Sequence, residues 1–235
     1  MRPLLLAALC LILTACSSGS GGNTEIVRAT LGKIVPWGSD DEAEAEAEAA
    51  TPTPRLTRAA VEAAGTPILR VRLEAEDGRS VMAAQAVNGG YVNYVSRFGQ
   101  SVTAQGALIT ASRGLGFDLL SVEADAADDP LVTPRPIEDW PARVMRIYRF
   151  PGNGPDGEVL RVTCRYAPGD TLELEIVEVT HQGQQVVETC VGDGISFDND
   201  LFADVETGFV WRSLQWVGPQ QGRLDIEVVA PIGGA

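Results

Sequence analysis

The chain contains a single histidine, His181, and that scarcity removes several chemistries at once. No Cys or His companions stand around it at zinc-ligand spacing. A Ser-His-Asp triad has to use it, and no Gly-x-Ser-x-Gly elbow accompanies it. No glycine-rich strand-to-helix cradle for phosphate is present, and the Gly-rich stretches read as hairpin turns. His181 therefore nominates no catalytic group and no metal set, and no cofactor is expected. Basic residues are also scarce. Lys and Arg number 18 against 32 Asp and Glu, for a formal charge of −14. That balance argues against nucleic acid, whose phosphates need Lys and Arg, and against an electrostatic grip on anionic lipid. Beyond residue 13 no apolar run is long enough to cross a bilayer as a helix.

What is present begins at the N-terminus. Arg2 precedes Pro3 to Leu13, an apolar run of signal-peptide length, too short for a mature spanning helix. It ends in Leu13-Thr14-Ala15-Cys16, the pattern of a bacterial lipobox. Residues 1–15 read as a cleavable signal and Cys16 as the acylated first residue of the mature chain. The alternative is an ordinary secretory signal ending in a chance Cys. Residues 16–23 follow as a Ser/Gly tether. Ser17 after the Cys, rather than Asp, favours the outer membrane. Each buried methylene of such an anchor contributes about 0.8 kcal/mol. The membrane is thus an expected partner through N-terminal lipid, with the folded part facing the periplasm.

Four cysteines are present. Cys10 leaves with the signal and Cys16 takes lipid. Cys164 and Cys190 remain as an even pair in an oxidising space, so a disulfide is expected. The alternative is two buried free thiols. The bridge closes a loop of about 27 residues, worth about 3–4 kcal/mol in the chain-entropy model.

Residues 24–235 read as one domain. Ile26, Val27, Leu31, Ile34 and Val35 suit a short amphipathic helix or a docking segment. Residues 39–55 form an acidic Ala/Glu insertion in which like charges at i and i+4 repel and Pro52 and Pro54 break any helix; it reads as a disordered loop. Leu56 to Ala64 is helix-compatible and stops at Gly65. From Pro67 onward, apolar and polar residues alternate with period two between turn signals such as Asp77-Gly78 and Asn88-Gly89-Gly90. Strands are expected at 67–74, 80–87, 91–97, 101–105, 107–112, 117–122, 143–150, 158–166, 171–180, 186–190, 205–217 and 223–229. The expected fold is all-β, an antiparallel meander rolled into a barrel-like or sandwich domain with short N-terminal helical segments. In that meander 158–166 and 186–190 are second neighbours, about 9.5 Å apart. The disulfide is then expected to cap one end, beside a turn at Pro168-Gly169-Asp170.

Two regions offer chemistry. Asp193, Asp198, Asp200 and Asp204 suggest paired carboxylates or a calcium loop, yet 193–200 lacks the full EF-hand pattern. They read rather as a polar loop joining strands. Trp211 and Trp216 flank Arg212 and suit sugars, whose rings have apolar faces and many hydroxyls. Strand alternation points the two Trp oppositely, so one belongs to the core and the other to the surface or an edge. The alternative reading is that both Trp only pack the fold.

Val102 to Leu120, running Val-Thr-Ala-Gln-Gly-Ala-Leu-Ile-Thr-Ala-Ser-Arg-Gly-Leu-Gly-Phe-Asp-Leu-Leu, resembles the YjbF/GfcB family of capsule and exopolysaccharide lipoproteins. So does Gly208 to Pro219, with its Val-Trp-Arg-Ser and Gln-Trp-Val-Gly-Pro. The likeness extends over about 24–232 apart from the acidic insertion. It implies an all-β outer-membrane lipoprotein with a non-enzymatic accessory role in polysaccharide production or export, whose partners are glycan or secretion proteins. Arg113, Asp118, Trp211, Arg212 and Trp216 are the candidate contacts. Arg113 and Asp118 read equally as a structural pair around Gly114. Two rival readings are a β-fold carrier of lipid or lipoprotein, with an apolar cavity, and a polysaccharide-cleaving enzyme using the Asp198–Asp204 region.

Overall fold

The computed structural model describes residues 55–233 apart from residue 77 and residues 154–156. The signal, Cys16, the tether, the 24–37 segment and all but the last residue of the acidic insertion lie outside the described residues.

A helix, α1 (Arg58–Ala64), opens the domain. The Thr57 side chain caps it by accepting from the Ala60 N–H, and Gly65 ends it at φ 61°, a left-handed conformation that costs glycine little. Twelve strands follow: β1 (Ile68–Leu73), β2 (Ser80–Asn88), β3 (Tyr91–Ser96), β4 (Ser101–Gln105), β5 (Leu108–Arg113), β6 (Ser121–Ala124), β7 (Val144–Phe150), β8 (Glu158–Ile176), β9 (Val179–Gly192), β10 (Ile195–Ala203), β11 (Val210–Gly218) and β12 (Gly222–Ala230). They make one antiparallel sheet in the order β5-β4-β3-β2-β1-β12-β11-β10-β9-β8-β7-β6. Every strand pairs with its sequence neighbour, β1 pairs with β12, and only β5 and β6 lack a ladder. The result is a nearly closed barrel, the all-β meander that the alternation predicts. The seam is stitched by Ser112 N–H donating to Leu119 O at 2.9 Å.

Alternation divides each strand between two faces. The inner face holds the main core, including Leu69, Val102, Leu160, Leu201 and Leu224. Tyr148, Phe150, Phe197 and Trp216 stack there as an aromatic cluster. A smaller core lies outside the barrel, where Val61 of α1 packs with Ile68, Ala83, Ile176, Val177 and Val229.

Three expectations need correction. First, 158–166 and 171–180 are not two strands around a turn. Pro168-Gly169-Asp170 is a bulge within β8, where the register with β9 shifts. The real turn is Val177-Glu178, at φ 44° and 64°. It carries no Gly or Asn signature and is held by tertiary contacts: Val177 is buried in the outer core, and Glu178 Oε2 accepts from Arg58 N–H at 3.0 Å. Hence β8 and β9 pair directly, and Cys164 and Cys190 are register partners with Cα atoms 3.9 Å apart, not second neighbours. The disulfide joins the second register pair from the open end of the β8–β9 ladder, far from the Val177-Glu178 turn, and is fully buried. Second, 195–203 is a strand and not a polar loop, and Asp193-Gly194 is its two-residue turn at φ 46° and 79°. Third, 117–120 and 205–209 are loops, because Asp118 and Asp204 each capture nearby backbone N–H groups.

Candidate functional site

The bulge at Pro168 bends the β8–β9 hairpin back over the outside of the barrel. Its tip is fastened there. The Arg58 guanidinium donates to Val229 O at 3.1 Å, and the His181 ring stacks on Trp211 at 3.9 Å. Between this hairpin and the outer faces of β10, β11 and β12 runs a groove of about 380 Å³. Leu172 and Leu174 line its hairpin side; Asp200, Arg212, Asp225 and Arg72 line its sheet side.

The charge in that groove comes from cross-strand ladders. Arg72 faces Asp225 across β1 and β12, and Arg70 faces Glu227. Asp225 accepts from Arg212 Nε and Nη2, both at 2.9 Å, from Arg72 at 3.1 Å and from Arg79 at 3.3 Å. Glu227 takes Arg79 at 3.0 Å and Arg70. Four guanidiniums thus share two carboxylates. The carboxylate side chains are 2 % and 4 % exposed, whereas those of Arg72 and Arg212 are 26 % and 36 % exposed. Burial pushes the Asp225 carboxyl up, but Arg212, Arg72 and Arg79 outweigh it and hold it below the usual carboxylate range. Asp225 and Glu227 are consumed and hidden while part of each of the four cations faces solvent; Asp200, the groove's other carboxylate, is 42 % exposed and pairs with Arg223. This local excess of positive charge stands in a chain of net charge −14.

A second polar network sits inside the barrel. Arg146 is fully buried and donates to Asp129 at 2.7 and 3.0 Å and to Glu188 at 2.9 Å. Burial alone lowers the Arg146 pKa, yet Glu188 and Asp129 raise it well above the ordinary range. Glu188 also accepts from Asn199 at 2.7 Å, and Asn199 Oδ1 accepts from Trp216 N–H at 2.7 Å. Asp129 belongs to the β6–β7 loop, so this network ties that loop into the barrel. Cys164, Glu188 and Cys190 cluster closely enough to resemble a metal set. Both sulfurs are committed to the disulfide, which leaves one carboxylate as ligand.

The sequence-nominated residues do not form one site. Trp216 is buried with its ring among Tyr148, Phe150 and Phe197, so it offers no face to a sugar. Trp211 is outside, but His181 covers one face of its ring and the Phe209 ring approaches at 4.5 Å. Arg212 lies in the groove. Arg113 and Asp118 sit at the β5–β6 seam and do not pair with each other. Asp118 accepts from Ser112 Oγ, Gly114 N–H and Leu115 N–H, while Arg113 donates to Ser112 O and Leu119 O. Each ties down the loop separately. The four Asp residues are dispersed too: Asp198 is exposed on β10 opposite Thr189 of β9. Asp193 accepts from Arg161 N–H at one end of β10, Asp204 caps a turn at the other, and Asp200 pairs with Arg223 at 3.2 Å. Arg72, Arg79, Asp225 and Glu227 were missed. Opposite charges alternate with apolar residues in β1 and β12, but 150 residues of chain separate the two strands, and only their pairing joins the pattern.

The family model for the group 4 capsule polysaccharide lipoproteins GfcB and YjbF matches residues 38–229. The chain belongs to the YjbF/GfcB family. Among solved structures, the hypothetical lipoprotein YmcC from Escherichia coli (K12) superposes with a TM-score of 0.63 at 14% identity, covering 74% of this chain and 89% of that one. At that identity the likeness is one of fold. No curated protein matches the sequence. The matched family region ends inside β12 and contains both the groove and the seam loop.

Proposed function

We propose that this YjbF/GfcB-family protein is a non-enzymatic accessory of capsule or exopolysaccharide production or export. It is held in the outer membrane by acylated Cys16 and faces the periplasm. The groove beneath the β8–β9 hairpin is its contact surface for an acidic glycan. The observation that carries the glycan contact is the half-exposed guanidinium pair Arg72 and Arg212, set over hidden carboxylates. A planar guanidinium with donors left over from Asp225 suits a sugar carboxylate and ring hydroxyls. Leu172 and Leu174 supply an apolar wall for a sugar ring.

Deletion of the gene, followed by measurement of surface polysaccharide, tests the cellular role. Loss or shortening of the polymer is expected; unchanged amount and length overturns the reading. Binding of the strain's purified polysaccharide tests the groove. Arg72→Gln leaves Asp225 held by Arg212 and Arg79, so the fold is kept. It should weaken binding about three- to tenfold, and added salt should weaken it further. Equal binding by the variant places the glycan elsewhere.

A further inference from the structure

We infer that the barrel mouth is a binding site for a single acyl chain. This site is separate from the groove, on the opposite face of the sheet.

A cavity of about 260 Å³ lies inside the barrel beside β1, β3, β4, β11 and β12. Its wall is made by inward-facing side chains such as Leu69, Val92, Ala104, Ile109, Val210 and Ile226. Protein interiors rarely leave a void larger than a water molecule, and a pocket with this mainly apolar wall favours apolar guests. The space does not come from loose packing around it. The β6–β7 loop is pressed against the rim so tightly that a Cβ at Gly106 would lie 2.3 Å from Leu131 O, and one at Gly208 would lie 1.8 Å from Arg135 O. That loop contributes Pro130 and Pro134 to the cavity. The volume lies just below the range of ordinary small-molecule pockets, which suits one slim chain and not a sugar oligomer. A sugar would also leave most of its hydroxyls unpaired against this wall.

Two hydroxyls give the guest a polarity. Tyr94 lines the cavity, is 6 % exposed, and makes no hydrogen bond among the described residues. Ser213 lines it too, and its proton is free for a geometric reason. Ile109 N–H donates to Gln215 Oε1 at 3.1 Å, which fixes the orientation of that amide. Gln215 Nε2 then donates to Ala107 O and to Ser213 Oγ, both at 2.8 Å. With Ser213 Oγ already an acceptor, its own O–H is left to donate. An apolar wall bearing two unused donors matches an alkyl chain that ends in a carboxyl, ester or amide oxygen. A pure hydrocarbon would leave both donors without a partner.

The test uses the mature chain with Cys16→Ser, purified without detergent, and dodecanoic acid carrying 13C at its carboxyl. One-to-one saturable binding with a shifted carboxyl resonance is expected. Ala104→Trp fills the cavity and should abolish binding; Val92→Phe fills part of it and serves where the first variant fails to fold. Tyr94→Phe should weaken binding about five- to tenfold, the loss of one hydrogen bond. Uptake that does not saturate overturns the inference. So does wild-type binding by a cavity-filled variant that melts like the wild type. The acylated wild type in phospholipid vesicles separates two sources of the same chemistry. If it refuses the probe that Cys16→Ser accepts, its own anchor fills the cavity; if both accept the probe, the chain comes from another lipid. Arg72→Gln should bind dodecanoic acid normally, so failure here and failure of the glycan reading are distinguishable.

Discussion

At the residue scale, the most costly single position is Arg146. Its guanidinium neutralises Asp129 and Glu188 where no solvent reaches. Removing one partner of a buried ion network leaves uncompensated charge and costs about 3–5 kcal/mol. Arg146→Met should therefore lower the unfolding free energy by about that much in a urea titration, and release of Asp129 should loosen the β6–β7 loop first. The lone histidine has a pH consequence. Burial, and then the charge of Arg58, push the His181 imidazole below its ordinary value of about 6.5. The folded state thus favours the neutral ring more than the unfolded chain does. The stability this gives is present above about pH 6.5 and is lost as pH falls through the folded value. His181→Gln should remove that part of the pH dependence, read as the difference between the two proteins' melting temperatures at about pH 7 and pH 5. Equal differences at both pH values would reject the assignment.

At the scale of elements, the β8–β9 hairpin organises the outer surface. Its disulfide joins directly paired strands and cuts the freedom of a loop of 26 residues of sequence separation. Replacing both Cys164 and Cys190 with Ala should cost about 2–4 kcal/mol and lower the melting temperature by about 4–16 °C. The β6–β7 loop depends on glycine at its contact with the barrel. Gly208 has φ 68° and Arg135 O directly where a side chain would begin. Gly208→Ala should destabilise by more than 1 kcal/mol, roughly, and raise amide exchange in 130–137.

Most strands were legible because the apolar positions alternate and the turns at Asn88-Gly89-Gly90 and Gly99-Gln100 carry residues that accept positive φ. The β8–β9 turn was not, because Val177 and Glu178 have side chains that disfavour the left-handed region. Their conformation is held by contacts with α1 that the local sequence does not contain. β10 was hidden for a related reason. Asp198, Asn199 and Asp200 read as a polar loop, yet Asn199 points inward to Glu188 and to the Trp216 amide. A buried polar network makes a core position look like a surface one. The candidate site was less legible than the fold. Arg212 was nominated, but its function there depends on Arg72 and Asp225, brought to it by the β1–β12 and β11–β12 ladders.

At the scale of the whole molecule, the barrel has two separate surfaces of interest: a charged groove outside and an apolar cavity within. Both are built by the described residues alone, since β1 and β12 pair and bring the two ends of the meander together. With Cys16 acylated as proposed, Cys16→Ser should move the protein from the membrane fraction to the soluble fraction without changing its melting temperature. The sequence by itself determined the all-β meander, the cysteine pair and the family, because alternation, turn residues and short motifs are local and survive without neighbours. Tertiary structure alone decided that the two cysteine-bearing strands pair directly, where the hairpin folds, and which charges meet. The hairpin's docking on α1 and the meeting of Arg72 and Arg79 with Asp225 depend on residues more than a hundred positions apart, and only the closure of the sheet brings such residues within reach of one hydrogen bond.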